Sequence, residues 1–137
     1  MSKASEFILN FDKEYKLGDE SMDETHREFL ALVEQASSAN STQFVDTMKA
    51  LFEHTQSHFA QEEATMADIG HSLLAEHKAD HQRILGDMDR LYQRAIAGRT
   101  AMARAWVSDS LLAWFSTHAK TMDSALAAQL LSEAACA

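Results

Sequence analysis

The chain has 137 residues and contains no proline and only four glycines. Proteins built from sheets need many tight turns, and tight turns draw heavily on these two residue types. Their scarcity therefore favours a chain made of a few long helices. A chain of this length is long enough to form one domain with a buried core.

Apolar side chains recur at steps of three and four, which predicts amphipathic helices. Ser21 and Glu24 have the spacing of a capping box, in which each side chain bonds to the other's backbone N–H, so the first helix should begin there. Asn40 or Ser41 is a typical N-cap for the second helix. The predicted helices span residues 21–38, 41–69, 72–97 and 100–130.

The connections between these helices are short, so consecutive helices should be antiparallel neighbours. Gly70 and Gly98 stand where the second and third helices should end, a position that favours glycine. We therefore predict an all-α, up-down-up-down antiparallel four-helix bundle. Residues 1–137 would form a single domain, in which residues 1–20 are an N-terminal arm packed on the bundle.

Charge and cysteine content exclude several classes of protein. The net charge of −9 argues against a surface for nucleic acid. The single cysteine, Cys136, provides neither a disulfide framework nor a thiolate metal site. No run of 18 apolar residues predicts a membrane span, and the N-terminal residues show no export signal. We expect a cytoplasmic protein that is a monomer, with weak oligomerisation as the alternative.

Six polar residues occupy positions that the helical pattern assigns to the core. Burying them costs several kcal/mol unless each is paired or coordinated. In an antiparallel bundle they would fall in one layer, roughly 6 to 17 Å from one end at ~1.5 Å per residue. These residues are His26, His58, Glu62, His77, His81 and His118. Their shared layer predicts a metal site.

Spacing within the helices supports this interpretation. His58 and Glu62 are four residues apart, as are His77 and His81, so each pair lies on one helix face. Asp123 follows His118 by five residues, which is about 140° around a regular helix. A π-type bulge would bring Asp123 to the side of the site. We therefore predict a helix irregularity at residues 118–123.

Imidazole and carboxylate donors without sulfur point to iron, with manganese or zinc as alternatives, and to two ions bridged by the carboxylates. Five histidines shared by two ions must divide three and two. With two bridging carboxylates and one bridging oxygen, the ion with two histidines keeps one open position. That position suits one small ligand. A ferritin-like site needs Glu-x-x-His motifs, which this chain lacks.

The same residues carry a family resemblance. The segments LGDESMDETH, THREF, HFAQEEATM, HKADH and WFSTHAKTMD resemble those of the hemerythrins, in particular the stand-alone bacterial ones, over roughly residues 10–125. The resemblance implies two non-haem iron ions, bridged by an oxo or hydroxo group, that bind O₂ reversibly. Nitric oxide or small anions are further possible ligands. By position, His77, His81 and His118 would hold the six-coordinate iron, His26 and His58 the five-coordinate iron, and Glu62 and Asp123 would bridge.

The resemblance also implies which side chains line the O₂ pocket. These are Phe59, Met66, Trp114, Phe115 and Ala119. Two of them depart from the family pattern, which usually has a bulky aliphatic residue at Ala119 and leucine at Phe115. We predict a differently shaped, more open pocket, and expect Ala119→Ile to slow autoxidation and anion entry.

Three further side chains could bind a metal, but we expect none of them to be a ligand. We expect His54 to lie outside the coordination sphere or at the surface, and His71 to lie in a loop. Glu63 lies on the side of its helix away from the site, so we expect a solvated carboxylate.

Three functions fit these observations. The first is O₂ binding without catalysis, for storage, delivery or local buffering. The second is a di-iron enzyme or detoxifying protein acting on nitric oxide, peroxide or ferrous iron. Catalysis usually needs a positioned proton donor, and the apolar pocket implied here favours binding. The third is an O₂ or redox sensor, which in this family is normally fused to a signalling domain, for which 137 residues leave no room.

Overall fold

Helices make up nearly all of the chain in this computed structural model, which describes the backbone of residues 2–136 and the side chains of residues 2–135. The first five helices are α1 (Lys3–Leu9), α2 (Phe11–Glu14), α3 (Glu20–Ser38), α4 (Ser41–Asp68) and α5 (Leu74–Ile96). No strand occurs within residues 2–136. The all-α prediction is confirmed.

The last helix, α6, runs over residues 100–136 and contains two π-helical turns. Its α-helical parts are Thr100–Ala105, Leu111–His118 and Ser124–Cys136, and its π-helical parts are Trp106–Ser110 and Ala119–Asp123. The predicted end at residue 130 is therefore too early. The final part is rich in alanine and leucine, which have the highest helix propensities, so the helix continues through it.

The start of α3 differs from the predicted capping box. Asp19 is the N-cap, and its side chain accepts a hydrogen bond from the Met22 backbone N–H at 3.0 Å. Ser21 lies inside the helix and is exposed. The capping prediction for Ser21 and Glu24 is therefore wrong, because Asp19 is an equally good cap placed two residues earlier.

The other helix boundaries lie close to the predicted ones. Asn40 caps α4 by accepting from the Gln43 backbone N–H at 2.9 Å. Gly70 follows α4 with φ of +63°, a left-handed conformation that favours glycine. The next helix, α5, begins at Leu74, two residues later than predicted.

The N-terminal arm consists of α1 and α2, and it covers part of α6. Phe7 stacks on Tyr15 with 5.0 Å between ring centroids. Tyr15 in turn lies 5.4 Å from the ring of Phe115 on α6. The aromatic side chains of the arm therefore cover Phe115 at the side of the bundle.

Contacts between the four long helices pair residues whose numbers rise along one helix and fall along the next. Examples are His26–His58 and Glu28–His54 between α3 and α4, Phe59–His81 and Phe52–Tyr92 between α4 and α5, and His77–His118 and Arg94–Met102 between α5 and α6. Consecutive long helices therefore run in opposite directions.

The apolar core has two parts. The larger cluster includes Phe29, Phe59, Phe115 and Ala119, and extends to the end of the bundle where α3 ends. The smaller cluster consists of Met22, Met66, Leu126 and Ala127 at the other end. The polar residues of the predicted site lie where the two clusters approach each other: on α3, His26 falls between Met22 and Phe29, and on α6, Asp123 falls between Ala119 and Leu126.

Candidate metal centre

Seven buried side chains with metal-binding atoms converge between the four long helices. They form two groups, and within each group all the potential metal-binding atoms lie within 4.8 Å of one another. The three-histidine group consists of Glu62, His77, His81, His118 and Asp123, and the two-histidine group consists of His26, His58 and Glu62. These are the seven residues expected from the sequence, and Glu62 belongs to both groups.

The π-helical turn Ala119–Asp123 brings Asp123 into the site. In a regular helix a residue five positions after His118 would point about 140° away from it. Here Asp123 Oδ1 lies 3.1 Å from His118 Nε2, and the aspartate is buried. The predicted irregularity at residues 118–123 is confirmed.

The two carboxylates each turn one oxygen toward each group. Glu62 Oε2 lies 2.6 Å from His58 Nε2, while its Oε1 lies 3.3 Å from the Nε2 atoms of both His77 and His81. Asp123 Oδ2 lies 3.1 Å from His26 Nε2, and its Oδ1 lies 3.0 Å from His77 Nε2. This is the arrangement that a carboxylate needs to bridge two cations.

Several of these buried atoms make no hydrogen bond within the part of the chain described. They include Glu62 Oε1, Asp123 Oδ1, and the Nε2 atoms of His26 and His81. Unpaired buried polar atoms are rare and costly in proteins. Nitrogen and oxygen donors without sulfur suit iron, manganese or zinc. The side chains therefore fit a pair of metal ions.

The electrostatics of the site show how these buried charges compensate one another. Burial lowers the pKa of His26 and of His77, but their interactions with Asp123 and Glu62 outweigh it and raise each pKa to about 9. Burial raises the pKa of Glu62, yet the neighbouring histidines, His58 above all, bring it well below its usual value. Burial and the charge of Glu62 raise the pKa of Asp123, but its close contacts with His118, His26 and His77 outweigh both and bring the pKa well below its usual value. Cations bound there would replace these protons.

Asp80 lies outside both ligand groups and hydrogen-bonds to a histidine of the site, a role that no sequence pattern predicted. Its Oδ2 accepts hydrogen bonds from His118 Nδ1 at 2.7 Å and from Trp114 Nε1 at 2.9 Å. Burial raises the pKa of Asp80, but these two hydrogen bonds outweigh it and lower the pKa. The only sequence signal was an acidic residue directly before His81, which is common on helix surfaces.

Glu63 has a similar role, so the prediction of a solvated carboxylate is wrong. Its Oε2 lies 2.9 Å from His81 Nδ1, and its side chain is only 24% exposed. The helical pattern of α4 placed Glu63 on the side of the helix away from the site. The packing of α5 against that flank brings His81 within reach of the carboxylate, which a helical pattern in one segment does not reveal.

Four of the five predicted pocket residues pack beside the site. Phe59 stacks on the ring of His81 with 3.7 Å between centroids, and Trp114 stacks on His118 at 4.5 Å. Phe115 meets the ring of His26 edge-on at 5.3 Å.

Ala119 is fully buried in the same cluster as Phe115, whereas Met66 belongs to the smaller apolar cluster on the far side of the polar layer. The role of these five residues as a ligand pocket stays a prediction.

The two remaining histidines lie outside both groups. His54 is half-buried, and its Nε2 lies 3.2 Å from Glu28 Oε1. His71 lies in the loop between α4 and α5, as expected. It is nevertheless buried, and its Nδ1 donates to Gln129 Oε1 on α6 at 2.5 Å.

A cleft of about 270 Å³ leads from the surface to the two-histidine group. It lies between the start of α3, the later half of α4 and the end of α6. His58 and Glu62 line its inner part, and Thr25, Gln61 and Thr65 provide polar groups along it. A small molecule can therefore reach this group without crossing the aromatic side chains around the three-histidine group.

None of the helices within residues 2–136 combines the length and hydropathy of a transmembrane span.

Comparison with known proteins gives two matches. Residues 17–130 match the family model described as the Hemerythrin HHE cation binding domain. The chain is 30% identical over 116 residues to a bacteriohemerythrin of Ralstonia nicotianae, and this match covers 85% of the chain and 84% of that protein. No solved structure matches the chain.

Proposed function

Because the chain belongs to the hemerythrin family, we propose that it binds O₂ reversibly at two non-haem iron ions, for oxygen storage, delivery or buffering. The observation that carries this proposal is the convergence of five imidazoles and two carboxylates in two groups that share Glu62. These residues would hold two ferrous ions, which would supply the pair of electrons that O₂ takes up on binding.

The assignment of ligands follows the two groups. His77, His81 and His118 would hold one ion, and His26 and His58 would hold the other. Glu62 and Asp123 would bridge, because each carboxylate has one oxygen near each group. The two-histidine position then has one protein ligand fewer and is where O₂ would bind.

The surroundings of the two groups support binding at that position. The cleft reaches His58 and Glu62, which belong to the two-histidine group. On the opposite side, Phe115 covers the ring of His26, and the aromatic side chains of the arm cover Phe115. This apolar cover closes the Phe115 side of the site to water and anions, so the cleft is the route by which a small ligand would reach the two-histidine group.

We propose that the protein binds O₂ without catalysing a reaction. Outside the two ligand groups, the polar side chains that line the cleft are Asp19, Ser21, Thr25, Gln61 and Thr65. The Asp19 carboxylate is engaged as the N-cap of α3, and the others carry hydroxyl and amide groups, which are poor general acids. The alternative is that the same ions act on nitric oxide, peroxide or ferrous iron. The test below separates the two functions.

The decisive experiment is to load the protein with iron, reduce it without air, admit O₂ and then remove it. We expect two iron ions per chain, and a visible absorption band that appears with O₂ and disappears on its removal. His58→Ala should lose this band. His54→Ala, one helical turn earlier on α4 and outside both groups, is the matched control and should keep it.

Irreversible loss of the band, or sustained consumption of an added substrate, would favour the enzymatic alternative. A protein that takes up no metal would contradict the proposal altogether.

A further inference from the structure

The two candidate metal positions differ in the partners of their histidine Nδ1 atoms, the ring nitrogens that face away from the metal position. In the three-histidine group, the Nδ1 atoms of His81 and His118 face carboxylates, Glu63 at 2.9 Å and Asp80 at 2.7 Å, whereas the Nδ1 of His77 has no partner among the described residues. In the two-histidine group, the Nδ1 atoms of His26 and His58 are buried and have no partner among the described side chains and backbone. The two groups therefore differ in carboxylate support as well as in their number of histidines.

A carboxylate behind a histidine has two effects on the opposite nitrogen. It holds the ring proton at Nδ1, so the lone pair of Nε2 faces the metal, and it makes that Nε2 a stronger donor. His81 Nε2 lies 3.3 Å from Glu62 Oε1, and His118 Nε2 lies 3.1 Å from Asp123 Oδ1. Both lone pairs therefore point into the site.

The same two imidazoles are also fixed by aromatic rings. Phe59 lies nearly parallel to His81, with 4° between the planes, and Trp114 lies against His118 at 22°. Trp114 also donates its indole N–H to Asp80, so one carboxylate orients both the histidine and the ring that covers it. A ligand that is already oriented loses less conformational entropy when it binds a metal.

Asp80 is itself held in place. Besides His118 and Trp114, Arg83 Nη2 lies 3.1 Å from its Oδ1. Glu63 is the less restrained carboxylate, because its only described hydrogen bond is to His81. Both lie outside the two ligand groups, and neither is assigned a part in O₂ binding.

From this asymmetry we propose that Glu63 and Asp80 are positioning residues that make the three-histidine position bind metal first and more tightly. The two-histidine position fills second, after Glu62 has been oriented by the first ion. The inference rests on the proposed function only in requiring two metal positions.

The test is a titration of protein prepared without metal, using Co²⁺, followed by calorimetry and by d–d absorption. We expect two ordered steps of one ion each in the unmodified chain. Asp80→Asn and Glu63→Gln should each weaken the first step by about 10- to 100-fold, the usual effect of removing such a partner. The second step should retain its own affinity.

Glu28→Gln is a matched control. Glu28 also faces a histidine nitrogen, that of His54 at 3.2 Å, but His54 belongs to neither ligand group. This variant should leave both steps unchanged. If Asp80→Asn does not fold, as judged by circular dichroism, Glu63→Gln still provides the test, because Glu63 lies at the edge of the site and is partly exposed.

A second readout reports the mechanism and not only the affinity. Nitrogen-15 chemical shifts of the imidazoles in the zinc-loaded protein should show His81 and His118 protonated at Nδ1. These signals should move in the variant that lacks the corresponding carboxylate and stay in place in Glu28→Gln.

Filling of both positions in one unordered step would overturn the inference while leaving the metal site intact. Equal weakening of both steps, or variants that bind as the unmodified chain does, would overturn it as well. Failure of the unmodified chain to take up Co²⁺ would contradict the proposed function and this inference with it.

Discussion

His118 and Asp123 lie on the same side of α6, with Nε2 3.1 Å from Oδ1, although five residues separate them along the helix. The π-helical turn Ala119–Asp123 makes this contact possible, because it takes up one residue more than an α-helical turn. The candidate metal centre therefore depends on a local change of helix geometry as well as on the identity of the side chains that would bind the metal.

Deletion of Lys120 should preserve the site. Lys120 is exposed within the π-helical turn, and its removal leaves Asp123 four residues after His118, which is the same face of a regular α-helix. We expect the variant to bind two metal ions with little change in Tm, as measured by metal analysis and thermal melting.

Insertion of one alanine after Lys120 is the contrasting change. It should turn Asp123 by about 100° from the site and weaken metal uptake. Equal loss of metal in the deletion and the insertion variants would contradict the role given to the turn.

The cleft at Thr65 should control the entry of small anions. Thr65→Phe fills the passage to His58 and should slow azide binding to the oxidised iron protein by roughly tenfold, which corresponds to about 1.4 kcal/mol of added barrier. Stopped-flow absorption measures this rate.

Thr117→Phe is the control for this experiment. Thr117 lines a different cleft, beside Asp80 and His118 on the other side of the bundle. Its replacement should leave the azide rate unchanged. If Thr117→Phe slows azide binding and Thr65→Phe does not, the anions enter by the other cleft.

Ala119→Ile should affect both autoxidation and stability. Ala119 is fully buried in the cluster that contains Phe115, so the extra methylene groups must displace their neighbours, at a cost of about 1–3 kcal/mol. Added apolar bulk beside the site should also slow autoxidation, which is followed by the decay of the oxygenated absorption band.

Ala128→Ile gives the comparison, because Ala128 is an exposed residue of α6. It should change the free energy of unfolding by no more than about 0.5 kcal/mol. A normal autoxidation rate in Ala119→Ile would show that this side of the site does not limit the reaction.

The stability of the metal-free protein should fall between pH 6.5 and about 9. The pKa values of His26 and His77 are raised from 6.5 to about 9 in the folded chain, so the folded state binds more protons than the unfolded state in this window. This contribution is complete below pH 6.5 and is lost as the pH rises through 9.

Glu62 and Asp123 act at the other end of the pH scale. Their lowered pKa values give a contribution that is present above the ordinary carboxyl values, 4.5 and 3.8, and lost as the pH falls below them. Thermal melting of the protein in a chelator over pH 5 to 9 measures the effect of His26 and His77. With zinc added, the Tm should instead rise with pH over this range, because the metal binds as the protons leave the histidines. A metal-free Tm that rises from pH 6.5 to 9 would be inconsistent with these charges.

Local sequence determined the helical architecture and the candidate ligands of this protein. Helical spacing placed His58 with Glu62 and His77 with His81, and the odd spacing of His118 and Asp123 required a distorted turn, which α6 contains. The resemblance to hemerythrins is confirmed by the family match. Periodicity and spacing of this kind are properties of one segment, so the sequence alone carries them.

Only the tertiary structure decided what surrounds these ligands. The partners of His81 and His118 come from other helices, so Glu63 and Asp80 could be assigned only after α4, α5 and α6 were packed together. The same packing put Met66 in the far apolar cluster and left the cleft open beside His58. Such contacts depend on how the sides of neighbouring helices meet, and a pattern read along one helix does not contain that information.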